Sequence, residues 1–104
     1  MSESQPEFEE QVVSETSDEV IEPRLFKVLL HNDDYTTMEF VVEVLITVFR
    51  KSAEEATMIM LNVHHQGIGL CGVFPYELAE TKVETVDALA RERGFPLKCT
   101  MEKE

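Results

Sequence analysis

The chain has 104 residues, of which 21 are acidic and 9 are basic, so its formal net charge is −12 at pH 7. A chain of this length forms one domain around one hydrophobic core, and 43% apolar residues is typical of a folded protein. The acidic excess excludes nucleic acid as a partner, because too few cations are present to neutralise a run of phosphates. No stretch reaches the roughly 20 apolar residues of a membrane span.

The acidic residues are concentrated at the N-terminus. Residues 1–23 contain eight acidic residues and no Lys or Arg, which gives −8, whereas residues 24–104 carry −4. This segment has too little apolar surface to offset its ordering entropy, so we predict a disordered extension followed by a folded domain over 24–104. Two interpretations of the extension stay open, a solubilising tail and a mobile interaction arm.

The cellular compartment is indicated by two observations. Residues 1–23 have neither the basic start and apolar run of a signal peptide nor the Arg-rich character of a transit peptide. Cys71 and Cys99 lie in separate apolar runs, which favours buried free thiols in a reducing cytoplasm. We therefore expect a cytoplasmic protein.

The first two elements follow directly after the extension. Residues 25–30 form a short apolar run that is typical of a strand, and residues 31–35 are rich in Asn and Asp, which favour a turn. Residues 40–49 are rich in β-branched side chains, but their polar positions recur every four residues. This spacing predicts a largely buried helix with one polar stripe, formed by Glu39, Glu43 and Thr47.

Capping signals mark the ends of the helices. Thr36 and Glu39 have the spacing of a capping box at the start of the first helix, and Ser52 and Glu55 repeat it at the start of a second. Gly67 is placed to end that second helix. The sequence therefore predicts two successive helices with a short connection.

The remaining elements complete the pattern. Residues 68–74 are predicted to form a strand, and apolar residues at helical spacing over 79–90 predict a third helix, which Gly94 and Pro96 end. Residues 97–102 alternate and supply a last strand. The predicted fold is α+β with the order β-α-α-β-α-β, in which a three-stranded antiparallel sheet packs against three helices.

The densest polar cluster is formed by Asn32, Asp33 and Asp34. One interpretation is structural, since Asn and Asp build turns and acidic groups suit a helix N-terminus. The other is a cation-binding corner, because carboxylate and amide oxygens are acceptors. His64 is a second candidate, and four residues after Met60 it borders the apolar face of the second helix.

A third feature is a set of methionine and aliphatic side chains, for which a core position is the default interpretation. Met38 is unusual because it lies in the first turn of its helix beside the acidic cluster, where a flexible thioether suits an adaptable pocket. The set comprises Met38, Val41, Met60, Val63 and Leu97. We expect no metal site, cofactor or catalytic centre, because the sequence has no zinc-binding spacing, no phosphate-binding glycine loop and no exposed cysteine nucleophile.

At this point the chain resembles a known family. Residues 29–41, Leu-Leu-His-Asn-Asp-Asp-Tyr-Thr-Thr-Met-Glu-Phe-Val, closely resemble the signature of ClpS, the bacterial adaptor family of the Clp protease. The resemblance continues through 56–64, 71–74, 79–83 and 96–102, and so covers nearly all of the chain after Pro23. Thr37 stands where many ClpS proteins carry Pro, a change that removes no ligand contact, and Ile68, Gly69 and Pro75-Tyr76 also depart from the usual pattern.

The resemblance implies a non-enzymatic N-end-rule adaptor that captures proteins with a bulky N-terminal Leu, Phe, Tyr or Trp. It implies that the α-amino group of the ligand is held by Asn32, Asp33 and His64, with Asp34 and Thr36 at the border of the site. Met38, Val41, Met60, Val63 and Leu97 match the side-chain pocket, in which Met38 is the gatekeeper against Ile and Val.

The resemblance also implies a protein partner. Glu77 and Lys82 match a surface that docks on the N-terminal domain of the ClpA unfoldase, and the acidic extension matches a segment that engages the unfoldase during delivery to ClpAP. Whether the unfoldase is ClpA or a relative such as ClpC stays open, as does the ranking among Leu, Phe, Tyr and Trp. A general interaction domain without N-terminal recognition is the alternative, and a small hydrolase built on Asp33, Asp34 and His64 is a more distant one.

Overall fold

The apolar runs of the sequence become the strands and buried helix faces of the fold. The computed structural model describes residues 24–104, so the predicted extension over 1–23 lies outside the described residues. The elements are β1 (Leu25–His31), α1 (Met38–Thr47), α2 (Ala53–Gln66), β2 (Ile68–Pro75), α3 (Tyr76–Arg93) and β3 (Lys98–Lys103). The predicted α+β order β-α-α-β-α-β is confirmed. The third helix begins directly after Pro75, three residues before the apolar pattern that predicted it.

Strand β1 is the centre of the sheet. The order is β2-β1-β3 and both pairings are antiparallel, so Leu30 lies opposite Gly69 on one side and Cys99 on the other. The register shifts between Val28 and Leu29, which is a β-bulge in the pairing with β2. Because β1 has a neighbour on both edges and a helix against it, it is the strand with three consecutive buried residues, Val28, Leu29 and Leu30.

The core lies between this sheet and the helices. Val28 and Leu30 are fully buried and pack in one cluster with Val44 and Leu45 of α1. Helix α3 packs across all three strands, and α2 packs against α1 and β2. The predicted polar stripe of α1 is exposed to solvent, as a helix with one buried face requires. No helix within residues 24–104 is long and apolar enough to span a membrane.

Three of the four predicted helix caps are confirmed, and one of them is Gly94, which ends α3 with a φ of 78°. Ser52 and Glu55 form the expected reciprocal capping box, and Gly67 ends α2 with a φ of 89°, a left-handed conformation that glycine adopts without strain. The predicted capping box of Thr36 with Glu39 is wrong. The N-cap of α1 is Thr37, whose Oγ1 accepts from the N–H of Phe40 at 3.1 Å, because the hydroxyl of Thr36 instead donates to Asp33.

Helix α1 receives its C-terminal cation from another helix. Its last turn contains no basic residue, but Lys82 of α3 donates from Nζ to the carbonyl oxygen of Val48 at 2.7 Å. The same ammonium lies 5.9 Å from the ring centroid of Phe49 and 5.6 Å from that of Phe74. A cation at this end of a helix interacts favourably with the unpaired carbonyl groups, so Lys82 fixes α1 against α3.

The position of the N-cap leads to a first prediction. Thr37→Ala removes the acceptor for the N–H of Phe40, and we expect the free energy of unfolding to fall by about 1 kcal/mol. Thr47→Ala is the matched control in the same helix, since the Thr47 hydroxyl only donates to the Glu43 carbonyl four residues earlier and Ala is the better helix former. Urea titrations in which both variants lose equal stability would contradict the assignment.

Candidate functional site

A cavity of about 270 Å³ lies between the loop after β1, the first turns of α1 and the C-terminal half of α2. We call it the main cavity. Its lining residues are Asn32, Asp33, Asp34, Thr36, Met38, Val41, Met60, Val63 and His64. Two backbone features bring the two segments together. The N–H of Asn32 donates to the carbonyl oxygen of Gly67 at 2.9 Å, and Gly69 allows close packing, since a Cβ there would lie 2.5 Å from Cγ2 of Val63.

Asp33 organises the polar end of the main cavity. Its Oδ1 accepts from the N–H of Tyr35 at 2.8 Å and from the N–H of Thr36 at 2.7 Å, and its Oδ2 accepts from Oγ1 of Thr36 at 2.8 Å. Burial on its own raises the pKa of this carboxyl, but the three hydrogen bonds outweigh burial and lower the pKa below 3.8. The Asp33 carboxylate is therefore ionised and fixed in orientation at neutral pH.

Three further polar side chains lie at the rim. Asn32, Asp34 and His64 are exposed, and within residues 24–104 none of their side chains has a hydrogen-bond partner. The imidazole of His64 lies edge-on to that of His65, with 5.2 Å between the ring centroids. The rim therefore presents amide, carboxylate and imidazole groups towards the same opening, beside the ionised Asp33.

The opposite end of the main cavity is apolar. Val41 and Val63 are 6% and 3% exposed and form its deep wall, whereas Met60 is half-buried and Met38 is 45% exposed at the mouth. Leu97 does not line the cavity. It is buried in the core cluster that also contains Val41 and Val63.

The two residues predicted for docking lie elsewhere. Glu77 is exposed in the first turn of α3, and Lys82 is half-buried, with its ammonium already bound to the Val48 carbonyl. Neither lines the main cavity.

Two contacts of the site were missed from the sequence. Gly67 was predicted only as a helix cap, but its carbonyl oxygen also accepts from the N–H of Asn32. The hydrogen bond from the N–H of Tyr35 to Asp33 was also missed, although Asp side chains often accept from N–H groups two and three residues ahead.

The cysteine thiols are unsuited to nucleophilic chemistry. Both are buried, and burial, followed by the nearby Asp87 carboxylate, raises the pKa of Cys99 to about 12. Burial also raises the pKa of Cys71, with a smaller contribution from Cys99, so both remain protonated at neutral pH. Within the described part of the chain, no three His, Cys, Asp or Glu side chains are grouped to hold a metal ion.

The main cavity thus offers acceptors and negative charge at one end and an apolar wall at the other. Such a site suits a ligand that carries a cation next to an apolar group, so fold and site together define a small binding protein. The sequence model of the family described as "ATP-dependent Clp protease adaptor protein ClpS" matches residues 21–100. The chain belongs to the ClpS family, whose members are adaptor proteins and not enzymes.

Individual relatives agree with this assignment. The ClpS adapter protein of Desulforapulum autotrophicum is 58% identical over 104 residues, which is the full length of both chains. That of Nitratidesulfovibrio vulgaris strain Miyazaki F is 65% identical over 86 residues, covering 83% of this chain and 86% of its own. Among solved structures, Agrobacterium tumefaciens ClpS2 bound to L-phenylalaninamide is similar, with a TM-score of 0.77 and 43% identity over 80% of this chain and 100% of that one.

The hydrogen bonds of Asp33 lead to a second prediction. Because folding lowers the pKa of this carboxyl, ionised Asp33 stabilises the fold above its ordinary pKa, and the stabilisation disappears as pH falls through the lower folded value. Asp33→Asn should therefore be less stable than the wild type at pH 7 by roughly 1 kcal/mol. The difference in the free energy of unfolding between the two proteins should become smaller below a pH of about 4. Urea titrations at pH 7 and pH 3 measure both effects.

Asp34→Asn is the matched control for this pair of titrations. It removes the same charge from the neighbouring position, where the carboxylate is exposed and accepts no hydrogen bond from residues 24–104. We expect its stability to stay within about 0.5 kcal/mol of the wild type. A destabilisation of Asp33→Asn that is the same at both pH values would show that the charge of Asp33 is not the stabilising feature.

Proposed function

We propose that this protein is an N-end-rule adaptor. It binds the free α-amino group and the bulky apolar side chain of an N-terminal Leu, Phe, Tyr or Trp, and it delivers the bound protein to the ClpA unfoldase of the ClpAP protease in the cytoplasm. The observation that carries the proposal is that one cavity joins the fixed, ionised Asp33 carboxylate to the buried wall of Val41 and Val63.

The polar end is matched to an ammonium group. An α-ammonium has three N–H donors and no acceptor, so its ligands must all be acceptors. The Asp33 carboxylate, the amide oxygen of Asn32 and a ring nitrogen of His64 supply three, and the exposed Asp34 adds negative charge beside them. Thr36 holds the Asp33 carboxylate through both its N–H and its hydroxyl. Agrobacterium tumefaciens ClpS2, which is similar in fold, is bound to L-phenylalaninamide, a ligand with this pairing of amine and apolar side chain.

The apolar end receives the first side chain of the ligand. Val41 and Val63 form a wall that is already buried and preformed, and burying a Leu or Phe side chain contributes about 1.5–3 kcal/mol. Met38 stands at the mouth in the first turn of α1, directly after the Thr37 N-cap. We assign to it the gatekeeper role that the family resemblance implies, in which it crowds the branched Cβ of Ile or Val. Met60 lines the same space, and Leu97 belongs to the core cluster that contains the two valines of the wall.

Delivery requires a second surface and a second segment. We assign docking on the N-terminal domain of ClpA, or of a related Clp unfoldase, to Glu77 and Lys82 on α3. The acidic residues 1–23 act as the extension that engages the unfoldase, separate from the binding domain over 24–104. The Glu77 carboxylate is exposed and forms no ion pair within residues 24–104, so we assign to it a direct contact with the unfoldase. Lys82 contributes partly through the position of α1 and α3, since its ammonium binds Val48.

The proposed ligand chemistry is tested with three labelled peptides that differ only at the first residue. Fluorescence anisotropy should show binding of a peptide with a free N-terminal Phe, at a Kd of about 1 μM. The N-acetylated peptide should bind at least about 100-fold more weakly, because acetylation removes the cation that the polar end of the main cavity requires. A free peptide that begins with Ile should also bind weakly, because its branched Cβ meets Met38.

The outcomes of this comparison separate the proposed function from its alternative. Equal binding of the Phe peptide and its acetylated twin would show a general interaction domain without amino-terminal recognition. Equal binding of the Phe and Ile peptides would leave amine capture intact but remove the gatekeeper role from Met38. As a matched variant, Met38→Ala should gain affinity for the Ile peptide while it still discriminates against acetylation.

Docking is tested with two variants that act differently. Glu77→Lys should weaken binding of the ClpA N-terminal domain about tenfold or more, because it reverses an exposed charge. It should lower the free energy of unfolding by no more than about 1 kcal/mol, because it places a cation in the first turn of α3. Lys82→Met should weaken docking and also lower the free energy of unfolding by about 1–2 kcal/mol, since it removes the charged donor to Val48. Calorimetric titration and thermal unfolding measure the two effects.

The matched control is Glu92→Lys, the same charge reversal about four turns further along α3 at another exposed position. It should leave docking unchanged at physiological salt, where the Debye length is about 8 Å. If Glu92→Lys weakened docking as much as Glu77→Lys, net charge and not a local surface would govern the interaction. If Lys82→Met kept full stability, the contact with Val48 would not be a significant constraint.

A further inference from the structure

A second cleft of about 280 Å³ adjoins the main cavity and is lined by Met38, Glu39, Val42 and Met60. Met38 and Met60 also line the main cavity, so these two side chains form a common wall between the two spaces. We propose that the second cleft is a subsite for the side chain of the second residue of the bound polypeptide, and that it favours Arg or Lys. The inference rests on the proposed function, because it extends the same ligand by one residue.

The direction of the ligand chain argues for this occupant. With the α-amino group at Asp33 and the first side chain against Val41 and Val63, the carbonyl group of the first residue lies at the mouth, where Met38 is exposed. Successive Cα atoms are only about 3.8 Å apart. The second residue therefore lies within reach of the methionine wall, which is also a wall of the second cleft.

The lining of the second cleft selects the chemistry of that side chain. Three of its four lining residues are Met38, Val42 and Met60, which are apolar, and the only charged one is Glu39. Glu39 is exposed and its carboxylate has no hydrogen bond or ion pair within residues 24–104. Arg and Lys place an aliphatic stem on apolar surface while the charged end stays in water, and here that end meets a carboxylate. Thioether side chains adapt to either stem.

The first part of the test varies the peptide and keeps the protein unchanged. Four free-amine peptides begin with Phe and carry Arg, norleucine or Ser as the second residue, the fourth having Ser second and Arg fifth. We expect the Arg-second peptide to bind about tenfold and the norleucine-second peptide about threefold more tightly than the Ser-second one. The Arg-fifth peptide should bind like the Ser-second one, because measurement at 0.3 M salt screens attraction that does not come from direct contact.

The second part of the test changes the cleft. Glu39→Gln should remove most of the preference for Arg over norleucine, whereas Glu84→Gln, the same change at an exposed position of α3 that lines neither space, should preserve it. Val42→Thr should reduce the preference for norleucine over Ser, because it places a hydroxyl in the apolar floor. Val73→Thr on β2 is the matched control, since Val73 is half-buried and also lines neither space.

The outcomes are distinct from those of the proposed function. Equal affinity for the Arg-, norleucine- and Ser-second peptides, with the N-acetylated form still rejected, would overturn the subsite and leave the proposed function standing. An Arg preference that survives Glu39→Gln, or that is as strong from the fifth position, would also overturn it. Failure of every free-amine peptide to bind would overturn the proposed function and the subsite together.

Discussion

Three hydrogen bonds to one carboxylate determine the geometry of the candidate site. Asp33 accepts from the N–H of Tyr35, the N–H of Thr36 and the hydroxyl of Thr36, which folds the loop after β1 into a fixed turn and delivers the chain to α1. The same bonds keep the carboxylate ionised although it is partly buried. One residue thus performs a structural task and an electrostatic one, and the two interpretations of the acidic cluster that the sequence left open are compatible.

The elements were predictable because each has a local signal. The apolar run of β1 and the polar stripe of α1 require only the periods of a strand and a helix, and the Ser52 box requires only its spacing. The N-cap of α1 was not predictable in this way, because Thr36 and Thr37 are chemically equal. The choice depends on which hydroxyl Asp33 engages, and that is settled by a turn geometry that spacing does not specify.

The site was predictable in a different sense. Residue types alone indicated a cation-binding corner and an adaptable apolar surface, but only the resemblance to ClpS joined them, since Asp33 and Val63 are 30 residues apart. The fold brings them together through long-range contacts that have no local signal, namely the hydrogen bond from Asn32 to Gly67 and the close packing of Gly69 on Val63. Lys82 shows what a resemblance to a family does not reveal. A motif match can identify a residue without revealing that its charge is already engaged by Val48.

The size and exposure of the main cavity bear on how an adaptor works. For the proposed ligand, burial of a Leu or Phe side chain contributes about 1.5–3 kcal/mol, and each charge-assisted hydrogen bond to the ammonium a similar amount. Association costs offset much of this total, so about −8 kcal/mol, or micromolar affinity, is the expected balance. A deeper cavity would bind more tightly and release more slowly, because affinity differences among related complexes arise mainly in dissociation. The exposed Met38 and the open rim therefore suit a protein whose function requires the ligand to leave.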